Sequence, residues 1–312
     1  MLYLTTRNRT DSFTAHKVLR STAAPDGGQF LPMQVPVLSH QDLLKLQKMS
    51  FGETCAYVLN LFFGTKLTGW DVDFAVGRQT VALTNLGHKV SVAESWHNPF
   101  GSHSYLVRRL YTLACEQKPP VQAPSLWFEC CVHIALLFSM YGKYARQGIR
   151  EFDIALQTGD LQQLLAVHYA SRMGLPVGKV ILGSLDGDGL WEFFTYGTYP
   201  TGGKKTPSGL EALLWLVYGP AQAQNYLSCV QAGTIYHLDP LLLNELQKNL
   251  FIAVVGQRRV ADVTSSALHT DHYAMEQGTA RAFGALQDYR AKTGENRNTL
   301  LFAHETGNVK GK

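Results

Sequence analysis

The sequence predicts an α/β fold: a three-layer, open, mostly parallel sheet with helices on both faces. Three observations predict it. Phe152–Leu156 and Val180–Leu182 are short apolar runs that fit buried strands. Between them, Leu161–Arg172 places Leu161, Leu164, Leu165, Val167, His168 and Tyr169 at helical spacing. Strand, helix and strand make one βαβ unit, a crossover of the size that parallel strands need. Further apolar runs at Phe251–Val255 and Thr299–Phe302 alternate with helical patterns. With 312 residues and 46% hydrophobic content, the chain can fill a large core, as one big domain or two.

In order, Leu2–Thr5 reads as a strand and Ser12–Leu19 as a short helix. Ala24-Pro25-Asp26-Gly27-Gly28 is a strong turn signal, and Phe30-Leu31-Pro32 leads back to the core. Asp42–Lys48 and Phe51–Phe63 read as helices, the second with a capping box of Ser50 and Glu53. Trp70–Thr84 fits one further helix, and Lys89–Ala93 a strand. The segment Glu94–Tyr105 leads into a helix through about Cys115. Glu116–Pro124 is a short Pro-rich link. Ser125–Ala145 is apolar on nearly all sides, which predicts a buried helix. Gly174 suits the end of the crossover helix and Pro176 bars its continuation. Thr206–Tyr218, Gln222–Ala232, Leu241–Leu250, Val260–Thr270 and Gly278–Lys292 read as helices.

Charge and cysteine usage narrow the function. The net charge is +4, and Arg108-Arg109, Lys204-Lys205 and Arg258-Arg259 are isolated pairs. No basic run with interleaved aromatics occurs, which argues against nucleic acid as a partner. The five cysteines are odd in number and form no C-x-x-C, the pattern of a reducing compartment. The opening MLYLTTRNRTDSF has no apolar stretch of signal-peptide type. The longest apolar run, near Ile134–Phe138, is too short for a bilayer. The expectation is a cytoplasmic protein with no membrane partner.

In an open α/β sheet a phosphate would sit on the turn after the first strand, at the N-terminus of the following helix. Here that turn is Thr158, Gly159 and Asp160. Asp160 is good N-cap chemistry but repels a dianion. His269 and His272 sit three apart near Asp271 and Glu276, yet no third ligand follows from the motif, so no metal is expected. Asp186-Gly187-Asp188-Gly189 reads as a tight turn, since it lacks the remaining oxygens of a calcium loop. Nucleophile elbow, Walker loop and G-x-G-x-x-G are all missing.

Several stretches carry a family likeness. Thr158–Ile181 reads TGDLQQLLAVHYASRMGLPVGKVI. Ala24–Pro32 reads APDGGQFLP, after Tyr3-Leu4-Thr5-Thr6-Arg7. Phe193-Phe194-x-x-Gly197 and Ala285–Gly294 add two more patches. Together they resemble the threonine synthases, pyridoxal-phosphate (PLP) enzymes of fold type II. The resemblance implies residues 1–88 as an N-terminal segment of hairpin plus helices, and residues 89–312 as an α/β core. It implies the family's large domain with the small PLP-side domain deleted at 116–124. It also implies that amides of the Thr158–Asp160 turn are the remnant of a phosphate site.

The chemical motifs depart from the family. Glu94, His97 and Pro99 match its E-L-F-H-G-P-T-x-A-F-K-D, but the Schiff-base lysine falls on Ser104 and the next Asp on Tyr105. A serine hydroxyl cannot form the imine or take the α-proton. No lysine occurs between Lys89 and Lys118, and no S-G-D-T-G loop occurs at all. The Ser/Thr that faces the pyridine nitrogen is replaced by Ala303-His304. His97 and His103 flank the vacant slot and are expected to be hydrogen-bonded, partly buried histidines. The reading is a pseudoenzyme of amino-acid biosynthesis type that binds a ligand or a protein, with no cofactor expected. A protein partner or a second copy would cover the surface left by the missing domain. The alternatives are a PLP-dependent lyase acting on O-phospho-L-homoserine through another residue, and a structural subunit pairing with a true threonine synthase.

Overall fold

The structure is a computed structural model, and it describes residues 1–116, 123–159, 161–202 and 207–307. The chain opens with β1 (Leu2–Thr5), β2 (Phe13–Thr14), α1 (Ala15–Leu19) and β3 (Phe30–Pro32). Then come α2 (His40–Leu46), α3 (Phe51–Phe63), α4 (Gly69–Val76), β4 (Ala82–Gly87) and β5 (Val90–Glu94). Helices α5 (His103–Ala114) and α6 (Leu126–Arg146) precede the βαβ unit of β6 (Phe152–Gln157), α7 (Leu161–Met173) and β7 (Val177–Ser184). The rest is α8 (Leu190–Tyr196), β8 (Thr198–Pro200), α9 (Leu210–Tyr218), α10 (Pro220–Ala232) and β9 (Ile235–His237). It closes with α11 (Pro240–Gln247), β10 (Leu250–Val254), α12 (Gln257–Thr270), α13 (Gln277–Thr293) and β11 (Thr299–Ala303). The Pro-rich link falls largely on residues 117–122, which lie outside the described residues, as does Asp160.

The chain forms two compact units. The first comprises Met1–Ala82, Glu94–Arg150 and Gln162–Pro176, and the second Leu83–Ala93, Glu151–Leu161 and Val177–Lys312.

In the first unit, β2-β1-β3 make a small antiparallel sheet. Tyr3 is fully buried there, and its hydroxyl donates to the Phe62 carbonyl at 2.6 Å. Trp127 on α6 meets Tyr3, Phe62 and Tyr169 edge-on. Helix α6 is buried along nearly its whole length, as its all-round apolar composition predicts. Burying each such large apolar side chain stabilises by ~1.5–3 kcal/mol. Ser50 and Glu53 form the predicted capping box of α3, and Ser39–Asp42 and Thr68–Asp71 repeat it on α2 and α4. The expected helix over Trp70–Thr84 is corrected: α4 ends at Val76 because Gly77 takes φ +86°, and β4 follows.

In the second unit six strands run in the order β10-β7-β6-β11-β5-β4. Strands β10, β7, β6 and β11 are parallel neighbours. β4 and β5 are joined by His88 and Lys89, both at positive φ (46° and 59°), the two-residue turn of an antiparallel hairpin. The sheet is therefore mixed and mostly parallel, and helices flank it. Helix α13 lies along β6 and β7 and packs on α12. Gly284 permits its close approach, because a Cβ there would lie 2.8 Å from the Val255 side chain. A second, two-stranded sheet of β8 and β9 carries Tyr199 and Tyr236, which pack with Phe193 and Tyr226.

Among the described residues no helix is long and apolar enough to cross a membrane. None of the five cysteines forms a disulfide, and Cys130-Cys131 is buried on α6.

Candidate functional site

Chemistry-bearing residues gather at one place in each unit. In the second unit it is the C-terminal end of β6 and β7. The Thr158 amide donates to the Gly183 carbonyl at 2.9 Å, which extends the pairing of β6 with β7 past the strand end. The Thr158 hydroxyl donates to Asp188 Oδ2 at 2.7 Å. The Asp188 carboxylate also accepts from the Ser184 hydroxyl (2.8 Å), the Leu185 amide (3.2 Å) and the Leu190 amide (2.8 Å). Gly187 and Gly189, at φ +74° and +79°, bend the chain so that Asp188 can reach back. The tight turn read from Asp186–Gly189 is thus an anchor for the very hydroxyl expected at the phosphate turn.

Gly159 has no positive φ, and a Cβ on it would meet nothing nearer than Gln157 Oε1 at 3.4 Å. Packing does not require glycine there. Arg281 on α13 reaches the same end of the sheet, where its Nη1 donates to Gln157 Oε1 at 3.1 Å. Burial lowers the Arg281 pKa, and Asp188 nearby works against that shift. Beyond β11, Glu276 Oε1 accepts from the His304 amide at 3.2 Å and lies 3.0 Å from the Thr279 hydroxyl. Burial pushes the Glu276 carboxyl up, since the charged form loses its water. His269 stands in the last turn of α12, whereas His272 lies past the helix end at φ +52°. The two therefore do not share a helix face.

In the first unit the site is the loop from the end of β5 into α5. Glu94 Oε2 lies 2.6 Å from His97 Nε2, and Trp96 stacks on the His97 ring at 4.1 Å. Ser95 Oγ lies 2.8 Å from His103 Nδ1. His103 in turn stacks on His133 of α6, with ring centroids 4.8 Å apart. Burial pushes the His133 imidazole down to about 4. His97 and His103 are thus hydrogen-bonded, and His103 is buried. Asn98 fixes the loop: its Nδ2 donates to the Ser102 carbonyl at 2.8 Å, and its Oδ1 accepts from the Phe100 amide at 3.2 Å. Ser102 caps α5 by accepting from the Ser104 amide at 3.2 Å. Ser104 itself is exposed. It lines a cavity of about 490 Å³ with Phe100, Ser102, Tyr105, Arg108, Arg109 and Thr112.

The family model for the threonine synthase N terminus matches residues 2–77, the segment that holds the Ala24–Pro32 turn. The chain is threonine-synthase-like. Threonine synthase of Schizosaccharomyces pombe is 24% identical over 178 residues, 46% of this chain and 34% of that protein. Threonine synthase-like 2 of Pongo abelii is 30% identical over 106 residues, 31% of this chain and 22% of that protein. The chain thus spans about a third or less of the curated relatives it matches. The structure of PLP-bound threonine synthase from Brucella melitensis superposes with TM-score 0.82 at 15% identity, over 98% of this chain and 88% of that one.

The threonine-synthase-like fold is therefore the α/β class that the sequence predicted. The expectation that no cofactor is involved is corrected by the Brucella protein, which shares the fold and is PLP-bound. Sequence reasoning singled out Thr158, Gly159 and Ser104; it did not foresee that Asp188 would hold Thr158, Arg281 reach Gln157, or His133 stack on His103. Only Asp188 had a signal to find it by, a lone acid held between two turn glycines.

Proposed function

We propose that this threonine-synthase-like chain is a pseudoenzyme: a ligand- or protein-binding scaffold that does not perform lysine-tethered PLP chemistry. One observation carries the reading. Aligned through Glu94, His97 and Pro99, the family's lysine falls on Ser104, and Ser104 is an exposed hydroxyl on the first turn of α5. A hydroxyl cannot condense with an aldehyde to an imine, nor take an α-proton at neutral pH. A tethered PLP therefore does not fit the residues present. At the expected phosphate turn the Thr158 hydroxyl is already engaged by Asp188. A Cβ on Gly159 would make only an ordinary contact, 3.4 Å from Gln157 Oε1. Ligand binding and covalent tethering are separate properties here, and only the second is denied.

The test is a PLP titration read by absorbance, then borohydride reduction and peptide mass spectrometry. The expected result is no imine band and no modified lysine. A saturable band with one modified lysine would overturn the reading and name the amine that replaces the missing one.

A second reading, self-association, is supported by Trp70 and Phe74 on α4. Their rings stack at 5.3 Å while remaining 66% and 76% exposed. A solvated aromatic pair of this kind suits an interface. Sedimentation of the wild type beside Trp70→Ala/Phe74→Ala tests it. A dimer lost in the double variant supports the reading, and a monomer in both removes it.

A further inference from the structure

Helix α5 turns His103, Leu106, Val107, Leu110, Tyr111 and Ala114 inward. Its opposite face presents Ser104, Tyr105, Arg108, Arg109 and Thr112, at the spacing that sets residues one turn apart beside each other. That outer face is not bare. The loop held by Asn98 lays Phe100 over Tyr105, with ring centroids 4.7 Å apart and the planes tilted by 37°. Between loop and helix lies the cavity of about 490 Å³, a size that suits a small molecule.

The lining is unusual in charge. It holds two guanidinium groups and three aliphatic hydroxyls but no carboxylate. Among the described residues no carboxylate forms an ion pair with Arg108 or Arg109. Arg109 Nε donates to the Ala75 carbonyl at 3.1 Å, which fixes its guanidinium and leaves the remaining N–H groups for another acceptor. Arg108 is exposed, and its backbone carbonyl accepts from the Thr112 hydroxyl at 3.0 Å, which leaves the guanidinium facing solvent. Two arginines beside two aromatic rings combine a fork for oxyanions with a platform for a ring. Phe100 is 73% exposed, so its ring serves no core.

We propose that this groove is a binding site for a small aromatic phosphate monoester, its phosphate between Arg108, Arg109 and Ser104 and its ring against Phe100 and Tyr105. The dianion matches two uncompensated cations better than a monoanionic carboxylate does. The site is a reversible binding site and needs no amine, so it stands independently of the tethering question.

Calorimetric titration of the intact chain with phenyl phosphate tests the proposal, with inorganic phosphate and benzoate as separate arms. Phenyl phosphate is expected to bind saturably and more tightly than either. Arg108→Gln is expected to weaken it by about tenfold, the effect of one charge-assisted contact. Phe100→Ala is expected to weaken phenyl phosphate by ~5-fold while leaving inorganic phosphate unchanged. Both side chains are exposed, so neither change threatens the fold, and circular dichroism checks this. The proposal is overturned by no phenyl phosphate binding at millimolar concentration, by wild-type affinity in both variants, or by benzoate binding as tightly as phenyl phosphate.

Discussion

Thr158 and Asp188 are thirty positions apart in the chain and share a 2.7 Å hydrogen bond at the C-terminal end of the parallel strands. The bond links the loop after β6 to the loop after β7. Asp188 gathers three further donors, from the end of β7, its own loop and the start of α8, so one carboxylate organises both loops. The hydroxyl at the expected phosphate turn is thereby directed into the protein.

Asp188→Ala removes the acceptor for two hydroxyls and two amides at once. Stability should fall by ~2–4 kcal/mol in urea unfolding, because the orphaned donors are partly buried. Asp188→Asn keeps one oxygen acceptor and should cost about half as much. An unchanged midpoint for Asp188→Ala would show that water replaces the carboxylate at no cost.

Gly159→Ala should leave stability within ~0.5 kcal/mol of wild type, since the site has ordinary φ and ordinary contact distance. If a phosphorylated ligand approaches this backbone, the added methyl should weaken it by about tenfold, the loss of one charged contact. Measuring both quantities on one variant separates a ligand role from a packing role. Equal affinity in wild type and variant would remove the turn from the candidate site.

The stability of the fold should fall in acid through His133. Its folded pKa of about 4 lies below the ordinary 6.5 because burial disfavours the cation. The unfolded chain therefore takes up the proton first. The stabilisation is fully present above pH 6.5 and is lost as pH falls to about 4, by about 3 kcal/mol in all. His168, also pushed down to about 4 by burial, with Arg172 adding to the shift, contributes in the same window. His133→Phe should flatten the acid limb of a stability–pH curve by about half. An equally steep limb in the variant would contradict this assignment.

Glu276 works in the opposite direction. Its carboxyl is raised by burial, so the penalty appears as the group ionises with rising pH. Glu276→Gln should therefore raise the melting temperature more at pH 8 than at pH 5. The amide oxygen can still accept from the His304 amide. A gain that is larger at pH 5 would refute the sign.

The parts of the fold legible in the sequence were those with a local signature. Leu161–Arg172 carries helical spacing, Ser50 and Glu53 form a capping box, and Phe152–Leu156 is a continuous apolar run. β4 escaped because only Leu86 of its six residues is buried, so no alternation marks it. β8 and β9 have three residues each, too few for a period. The candidate site divides the same way. Ser104 and Thr158 are legible because each sits in a contiguous motif. Asp188, Arg281 and His133 meet their partners only through tertiary folding, and no window of sequence contains both members of a pair.

Among the described residues strand β11 comes last, and it lies between β6 and β5, inside the sheet. During synthesis the β4–β5 hairpin emerges roughly 200 residues before the strand that will pair with it. At a ribosomal rate of ~5–20 residues per second, that is ~10–40 s with an apolar strand edge unclaimed. The hairpin must wait, and its open edge is what a holding chaperone would meet first.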